Sequence, residues 1–374
     1  MLRLARSVLN RPPSWYGPQS EIRSLRLDIR LASSHDRLAC WGLLLGLPPR
    51  PLALAAAARA YSVGGGGRQQ RDLLGPMSEP AIRLHGVVKR FGSIVAVEGL
   101  DLEVAAGICF GLLGPNGAGK STTMRMLTAQ ALADEGEISV LSYSLPGQSK
   151  QARMEMGVVP QLDNLDVELT CRQILTVFAR LYRVPRSERA AAVERALQIA
   201  NLTARADTVV RELSGGMRRR LLVARGLIHQ PRLVLLDEPT VGLDPQVRQE
   251  LWSLIDGLRT GGVTVLMSTH YIEEAERLAD TVAVMSEGRI IAQGSPAELV
   301  RAHAGEQVLE VYGAPQRLAE VSELALRSGW SSRRSGPAVA ILRAERLDGR
   351  APEGVRRPAN LEDAFVALTG EEIE

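Results

Sequence analysis

The stretch from Gly114 to Thr122 has the residue types and spacing of a loop that holds phosphate. It consists of Gly114, Pro115, Asn116, Gly117, Ala118, Gly119, Lys120, Ser121 and Thr122, and it follows the apolar run Ile108–Leu113. Its glycines let successive backbone N–H groups face an anion, which the positive end of the following helix also favours. In such a loop Lys120 reaches the β- and γ-phosphates, Ser121 binds Mg²⁺, and Thr122 lies near the α-phosphate. An ordinary glycine turn is the alternative, but the preceding strand favours nucleotide binding.

Two acids, Asp237 and Glu238, end a second apolar run that begins at Leu233. Because this run is hydrophobic on both faces, we expect a strand in the middle of a parallel sheet, where strand ends carry ligands. Asp237 can hold Mg²⁺ through water, and Glu238 can polarise an attacking water as a general base. Acid pairs also serve as simple strand caps, but the phosphate loop upstream favours the catalytic interpretation.

Two further polar residues stand at the ends of apolar runs. His270 follows the run Val263–Ser268, and Gln161 follows the run Met156–Pro160. A single histidine is usually structural, but at a strand end beside two carboxylates we expect His270 to contact a γ-phosphate. Gln161 stands where a flexible loop is expected to begin.

A second group of small residues, Ser214, Gly215 and Gly216, precedes a helix predicted from Arg218 to His229. A serine and two glycines at a helix start make another anion-binding surface, although the same tripeptide is common in ordinary loops. The run Arg218–Arg220 at the start of the predicted helix is interpreted as a solvated face.

Phe91 is a solitary aromatic residue in a turn that is predicted at Lys89–Gly92. Its π face is suited to stacking on adenine, and packing in the core is an equal alternative. The sequence leaves both interpretations open.

The elements that position these residues alternate between strands and helices, which is typical of an α/β fold with a parallel sheet. Apolar residues recur at helical spacing from Thr170 to Arg183 and from Ser187 to Leu202, with Ser187 as the N-cap of the second helix. A helical insertion is therefore expected. Further elements are predicted as strands at Ala81–Val87, Val95–Val104 and Gly136–Leu141, a turn into a helix at Gly242–Pro245, and a hairpin of Ala283–Met285 with Arg289–Ala292.

The composition is that of a globular protein, with 374 residues of which 45% are hydrophobic. The net charge is +3, but residues 1–76 hold 11 arginines against 4 acids, so the remainder is mildly acidic. This balance argues against nucleic-acid binding. Three distant cysteines fit a reducing compartment, and the histidines show no metal-ligand spacing. No window supplies the roughly 18–20 uninterrupted apolar residues of a membrane-spanning helix.

The chain is expected to divide into three parts. Residues 1–76 are rich in Arg, Pro and Ala and are expected to be a disordered extension, dispensable or mis-assigned, with a tether or a targeting segment as alternatives. Residues 80–304 are expected to form the nucleotide-binding domain. Residues 305–374 are expected to form a small α+β accessory domain, with strands at Val308–Tyr312 and Ala338–Leu342 and a helix at Leu361–Leu368.

The order of these motifs resembles the ATP-binding proteins of ABC transporters. The matching segments are the Walker A motif at Gly114–Thr122, the Q-loop at Gln161, the signature at Leu213–Met217, the Walker B motif at Leu233–Asp237, the D-loop at Gly242–Pro245 and the switch histidine His270. Met217 stands where the family more often has glutamine, and Phe91 where it more often has tyrosine. The resemblance covers residues 80–300.

The resemblance implies a P-loop NTPase fold of the ABC ATPase type, with an F1-like core and a helical subdomain, followed here by the small appendage. It implies ATP and Mg²⁺ as cofactors, with Ser121, Gln161 and Asp237 on the metal. It also implies that Ser214, Gly215 and Gly216 close over the γ-phosphate of the opposite protomer. Hydrolysis would then require a head-to-tail homodimer.

A finer resemblance is to the ATP subunits of ABC-2-type exporters, of the nodulation-protein I lipo-oligosaccharide type and the daunorubicin-resistance type. It is carried by the segments 157–166, 178–180, 308–313 and 360–370. It implies a separate integral membrane permease, a place at the cytoplasmic face of the bacterial inner membrane, and efflux of a lipo-oligosaccharide or small hydrophobic compound. The rival class, soluble ABC proteins of chromosomes or ribosomes, is disfavoured by the acidic body and the absence of long heptad arms.

Overall fold

A computed structural model of the chain describes residues 79–370. The expected extension, residues 1–76, lies outside the described residues. The strands are β1 (Ile82–Phe91), β2 (Ile94–Val104), β3 (Cys109–Leu113), β4 (Glu135–Val140), β5 (Tyr143–Leu145), β6 (Met156–Val159), β7 (Leu233–Asp237), β8 (Thr264–Thr269), β9 (Thr281–Ser286), β10 (Arg289–Gly294), β11 (Gln307–Tyr312), β12 (Ser332–Ser335), β13 (Ala338–Ile341) and β14 (Val355–Pro358).

The helices of the described chain fill the connections between these strands. They are α1 (Lys120–Leu127), α2 (Ser149–Glu155), α3 (Cys171–Leu181), α4 (Arg189–Ile199), α5 (Gly215–Leu227), α6 (Pro245–Thr260), α7 (Ile272–Leu278), α8 (Pro296–His303), α9 (Pro315–Ser328) and α10 (Leu361–Thr369). Three short 3₁₀ turns lie at Thr203–Arg205, Val210–Glu212 and Ala344–Arg346.

The central sheet has the strand order β10-β9-β3-β8-β7-β6, with all neighbours parallel except the edge strand β10. The inner strands β3, β7 and β8 are buried on both faces, which explains their nearly continuous apolar sequences, whereas no residue of the edge strand β10 is buried. Phe110 and Leu112 of β3 face a core shared with an antiparallel sheet, and Cys109 and Leu113 face a core shared with the helices. Because β3, β6, β7 and β8 run parallel, their carboxyl ends lie at the same edge of the sheet.

The antiparallel sheet has the order β2-β1-β4-β5 and covers one face of the central sheet. The turn predicted at Lys89–Gly92 is wrong in part. β1 continues to Phe91, which pairs with Ile94, so the turn is confined to Gly92 and Ser93. Pairing with β2 along the whole hairpin extends the strand through residues whose polar side chains had indicated a turn.

The helical insertion consists of α3, α4 and the two 3₁₀ turns that precede α5. Thr170 caps α3 in a reciprocal arrangement with Gln173. The predicted N-cap Ser187 is wrong, because a turn that begins at Pro185 places Glu188 at the cap of α4, without a side-chain hydrogen bond. The predicted start of the next helix at Arg218 is also late, since α5 begins at Gly215 with Ser214 as its N-cap.

The C-terminal residues form a third sheet, in the order β12-β13-β11-β14, with a small apolar core of its own against α9. α10 then returns to the nucleotide-binding part, where Leu361 and Phe365 are buried in the same core as Leu299. Asp363 of α10 is fully buried between Arg333 of β12 and Arg357 of β14. This ion cluster ties the appended sheet to the helix that packs against α7 and α8.

Between residues 79 and 370, none of the helices combines the length and the apolar character needed to cross a lipid bilayer.

Candidate active site

The loop between β3 and α1 follows a path that requires glycine. Gly119 has a φ of 104°, and a Cβ added there would lie 2.5 Å from the carbonyl oxygen of Ala96. A Cβ at Gly114 would lie 2.2 Å from the carbonyl oxygen of Met285. Because both approaches involve backbone atoms that cannot move aside, the two glycines fix the course of the loop. Exposed Asn116 and Gly117 form its tip.

Lys120, the first residue of α1, folds its side chain back into this loop. Its Nζ donates to the carbonyl oxygens of Gly114 at 2.7 Å and Pro115 at 2.9 Å. Only 4% of the residue is exposed, and this burial lowers the pKa of the ammonium. The result is a poorly hydrated positive charge within the loop, which is what an anionic ligand would neutralise.

An oxygen cluster lies where α1 begins and β7 ends. Ser121 Oγ donates to Asp237 Oδ1 at 3.2 Å, and Ser268 Oγ of β8 donates to the same oxygen at 2.6 Å. Carboxylate and hydroxyl oxygens are the ligands that Mg²⁺ prefers, usually with waters completing its shell. The chemistry of this donor set fits a magnesium ion.

Glu238 is the residue on which the predicted site residues converge. It is only 6% exposed and has a left-handed backbone, with φ at 45°. Gln161 Nε2 donates to its Oε2 at 2.6 Å, while Lys120 Nζ lies 3.9 Å from its Oε1. His270 Nδ1 lies 3.3 Å from Oε1 but outside hydrogen-bond geometry, and it has no hydrogen-bond partner in the described part of the chain. An unsatisfied buried nitrogen here is suited to a phosphate or a water.

The end of β8, which carries His270, is fixed by a buried acid that the sequence did not single out. Thr269 Oγ1 donates to Glu274 Oε2 at 2.6 Å, and Trp252 Nε1 donates to Glu274 Oε1 at 3.1 Å. Glu274 is fully buried, so these donors satisfy it where water does not reach. Its acidic type alone, among many surface acids, gave no signal of this role.

The interpretation of Arg218–Arg220 as a solvated face is wrong. Arg219 is buried and donates to the backbone carbonyls of Gln161 and Glu238. Arg220 pairs with Glu250 of α6. Helical geometry turns neighbouring residues by about 100°, so three consecutive arginines cannot share one face.

The structure does not bring Ser214, Gly215 and Gly216 to the loop at Gly114–Thr122. Ser214 and Gly215 are exposed, and the Ser214 hydroxyl accepts from the backbone N–H of Met217 as the cap of α5. Asp244 caps α6 in the same way at the predicted turn into that helix. The small-residue cluster thus faces outward within a single copy.

Phe91 is 49% exposed, so the alternative that it packs in the core is wrong. Lys89 Nζ lies 5.2 Å from the centre of its ring. An exposed ring at the end of β1 is open to a stacking partner, and that role stays a prediction.

The chain is similar in sequence to known ATP-binding proteins of transporters. Residues 97–241 match the family model described as ABC transporter. The chain is 44% identical over 308 residues to the Nod factor export ATP-binding protein I of Ralstonia nicotianae, covering 79% of this chain and 96% of that protein. It is 46% identical over 301 residues to the protein of the same name from Burkholderia lata, covering 78% and 98%.

Two solved structures with a similar fold carry nucleotide-related descriptions. One is an ATP-binding subunit of an ABC transporter, with a TM-score of 0.56 at 26% identity, covering 60% of this chain and 94% of that one. The other is a dimeric ATP-binding cassette in a post-hydrolysis state bound to ADP and Pi, with a TM-score of 0.53 at 27% identity, covering 57% and 98%.

Proposed function

Because the chain belongs to the ATP-binding subunits of ABC exporters and is an ATPase, we propose that it energises efflux of a lipo-oligosaccharide through a separate ABC-2-type permease. The cargo class is supported by relatives that are named for Nod factor export and that this chain covers almost completely. A small hydrophobic compound is the alternative cargo. The place of action is the cytoplasmic face of the bacterial inner membrane, where such a permease would meet cytosolic ATP.

The phosphates of ATP are bound by Gly114–Thr122, with Lys120 on the β- and γ-phosphates and the loop N–H groups around them. Phe91 stacks on the adenine. Ser121, Asp237 and Gln161 would hold Mg²⁺, and the amide oxygen of Gln161 would be its ligand, since the amide nitrogen donates to Glu238. The ion, when bound, neutralises phosphate charge as it develops.

Glu238 acts as the general base of hydrolysis. Its carboxylate accepts a proton from the attacking water, the water oxygen forms a bond to the γ-phosphorus, and the bond from that phosphorus to the bridging oxygen breaks to give ADP and phosphate. His270 holds the γ-phosphate through the ring nitrogen that lies beside Glu238. Lys120 stabilises the negative charge on the leaving side.

The single observation that carries this assignment is the convergence of Gln161, His270 and Lys120 on Glu238, at 2.6, 3.3 and 3.9 Å. A mere strand cap would not gather a loop amide, a strand-end histidine and the loop lysine around one carboxylate. Residues 80–304 are proposed to be the nucleotide-binding domain and residues 305–374 an accessory domain. The separate apolar core of the third sheet supports this division, although α10 of the accessory part packs in the core of the nucleotide-binding part.

The site is completed by a second copy. Ser214, Gly215 and Gly216 are proposed to close over the γ-phosphate bound to the partner of a head-to-tail homodimer. Their exposure at the start of α5 supports this proposal, as does the likeness to a dimeric cassette bound to ADP and Pi.

The test is reconstitution of the chain with an ABC-2-type permease, in liposomes supplied with a fluorescent lipo-oligosaccharide and Mg-ATP. We expect ATP-dependent accumulation that is lost with Lys120→Ala, because that variant lacks the phosphate-binding charge. Hydrolysis stimulated by the permease without movement of the lipo-oligosaccharide, but with movement of daunorubicin, would contradict the cargo. Failure of the chain to join any ABC-2-type permease would contradict the exporter assignment.

A further inference from the structure

Arg219 of α5 makes an unusual set of contacts for a residue just beyond a helix start. It is 9% exposed, and its guanidinium hydrogen bonds within the described chain all end on backbone oxygens. Nε donates to Pro239 at 2.7 Å, Nη1 to Pro160 at 2.7 Å and Gln161 at 3.1 Å, and Nη2 to Asp237 at 3.3 Å and Glu238 at 3.0 Å.

These five carbonyls belong to two segments that carry the chemistry. Pro160 and Gln161 follow β6, whereas Asp237 is the last residue of β7 and Glu238 and Pro239 follow it. A planar guanidinium has five N–H donors and can satisfy all five carbonyls at once, whereas an ammonium has three donors and can satisfy only part of the set. Burial lowers the pKa of Arg219 to about 10, so the group remains charged at neutral pH.

The contact at Glu238 holds a backbone that would otherwise relax. A glutamate with φ at 45° is in a region that L-residues adopt only when neighbours enforce it. The backbone N–H of Glu238 donates to both the carbonyl oxygen and the hydroxyl oxygen of Ser268, each at 3.1 Å. Arg219 holds the carbonyl on the other side of the same residue. Together, Ser268 and Arg219 keep the Glu238 carboxylate directed at Gln161 and His270.

Two other arginines of α5 contact the loop that follows β6 and contains Gln161. Arg218 Nε lies 3.2 Å from Asp163 Oδ2, and Arg225 Nη1 donates to Asn164 Oδ1 at 2.7 Å. The helix that begins with the exposed Ser214 and Gly215 is therefore fastened to residues 160–164, and through Arg219 also to Glu238.

We propose that Arg219 is a positioning residue for hydrolysis: it fixes the peptide of Glu238 relative to the loop of Gln161 and transmits displacements of α5 to the carboxylate. This inference rests on the proposed role of Glu238. A residue that served stability alone would change the amount of folded protein but not the turnover of each folded molecule.

The experiment compares Arg219→Met and Arg219→Lys with Arg220→Met, which removes a neighbouring ion pair of the same helix outside these contacts. Phosphate release gives kcat and KM for ATP per folded molecule. A displacement of the catalytic group by about 1 Å can cost roughly 10²-fold, so we expect kcat of Arg219→Met to fall about 10- to 100-fold with KM changed less than about threefold. Arg219→Lys should recover part of this loss, and Arg220→Met should keep kcat within about twofold.

Arg219→Met in the Glu238→Gln background distinguishes an effect that acts through Glu238 from one that is independent of it. If Arg219 acts through Glu238, Arg219→Met should lower the residual turnover of Glu238→Gln by less than about twofold. An equal fall in both backgrounds, an unchanged kcat per folded molecule, or loss of folding in both Arg219 variants would overturn the proposal. Near-normal turnover of Glu238→Gln alone would instead contradict the general base, whatever Arg219 does.

Discussion

The carboxylate of Glu238 is buried, yet it is surrounded by groups that stabilise charge. Gln161 donates a hydrogen bond to one oxygen, and the Lys120 ammonium lies 3.9 Å from the other, too far for a hydrogen bond. Burial lowers the pKa of Lys120, and the attraction to Glu238 opposes that shift without a hydrogen bond that would lock the two groups together. The lysine is held by the carbonyl oxygens of Gly114 and Pro115 and not by the carboxylate, so a shift of its ammonium toward phosphate would leave Glu238 in place after β7.

Glu238→Gln tests the role of this carboxylate with little change in shape. The amide cannot accept the proton of an attacking water, so turnover should fall about 10²- to 10⁴-fold while ATP binding is retained. Steady-state phosphate release and fluorescent-ATP binding measure the two effects. Glu320→Gln, at an exposed position of α9, is the matched control and should behave like the unaltered chain. Near-normal phosphate release by Glu238→Gln would remove Glu238 as the base.

His229 gives a second prediction at the scale of one residue. Its ring stacks on Tyr182 with centres 3.7 Å apart, its Nε2 contacts the carbonyl oxygen of Met156 at 3.1 Å, and burial lowers its pKa to about 4. Between pH 6.5 and 4 the unfolded chain binds a proton at this residue that the folded chain excludes. The free energy of unfolding should therefore decrease as pH falls through this window, by up to about 3 kcal/mol.

His229→Phe keeps a stacked ring but cannot take up the proton. Its free energy of unfolding in urea should decline less between pH 6.5 and 4.5 than that of the unaltered chain. Equal declines in the two proteins would show that His229 titrates normally in the folded state.

At the scale of elements, the parts that sequence could predict are those with a local signal. The apolar run of β7 indicated a buried strand of a parallel sheet, and His270 after the run of β8 was expected to lie beside the two carboxylates. The helix α9 and the strand β12 were missed. β12 reads Ser-Arg-Arg-Ser and forms because β13 pairs with it and Asp363 satisfies Arg333, which only the tertiary structure determines.

In the site, too, residues within local motifs could be predicted from the sequence, whereas a residue whose role depends on packing could not. Gly114–Thr122, Asp237 and Glu238 carried motifs, whereas Arg219 was hidden in a run of three like residues. Which of the three points inward depends on where α5 begins and on what packs against it. The predicted start at Arg218 was late, since the cap at Ser214 was not recognised as the first turn of the helix.

The cluster around Asp363 makes a prediction about how α10 is held. Burial acts to raise the pKa of Asp363, but hydrogen bonds from Arg357 and Arg333 outweigh it and keep the pKa below its ordinary value. Asp363→Ala leaves two arginines without their shared buried partner, which should cost roughly 3–5 kcal/mol of stability. Glu362→Gln alters a half-exposed partner of Arg333 and should cost less than about 1 kcal/mol.

Urea unfolding of both Asp363→Ala and Glu362→Gln measures these costs, and phosphate release below the transition should be unaffected by either change. A loss below about 1 kcal/mol for Asp363→Ala would show that the ion cluster does not hold α10 in place.

At the scale of the whole molecule, the two anion-binding helix starts of one copy face different surroundings. α1 begins inside the site, and α5 begins at an exposed surface. A single copy therefore presents one phosphate-binding loop and one unused signature, an arrangement that a two-fold symmetric pair would complete twice. We therefore propose that hydrolysis by such a pair uses residues from both copies at each site.

The most direct measurement of this proposal mixes two variants that are each expected to be nearly inactive alone, Lys120→Ala and Ser214→Arg. In a mixed dimer one site combines both changes, and the other combines an intact phosphate loop with an intact signature. Half of the dimers in an equal mixture are mixed and each has one intact site of two, so phosphate release should reach up to about a quarter of the unaltered level. If mixed dimers are demonstrated by cross-linking and the mixture releases no more phosphate than either protein alone, hydrolysis does not occur at a site shared between two copies.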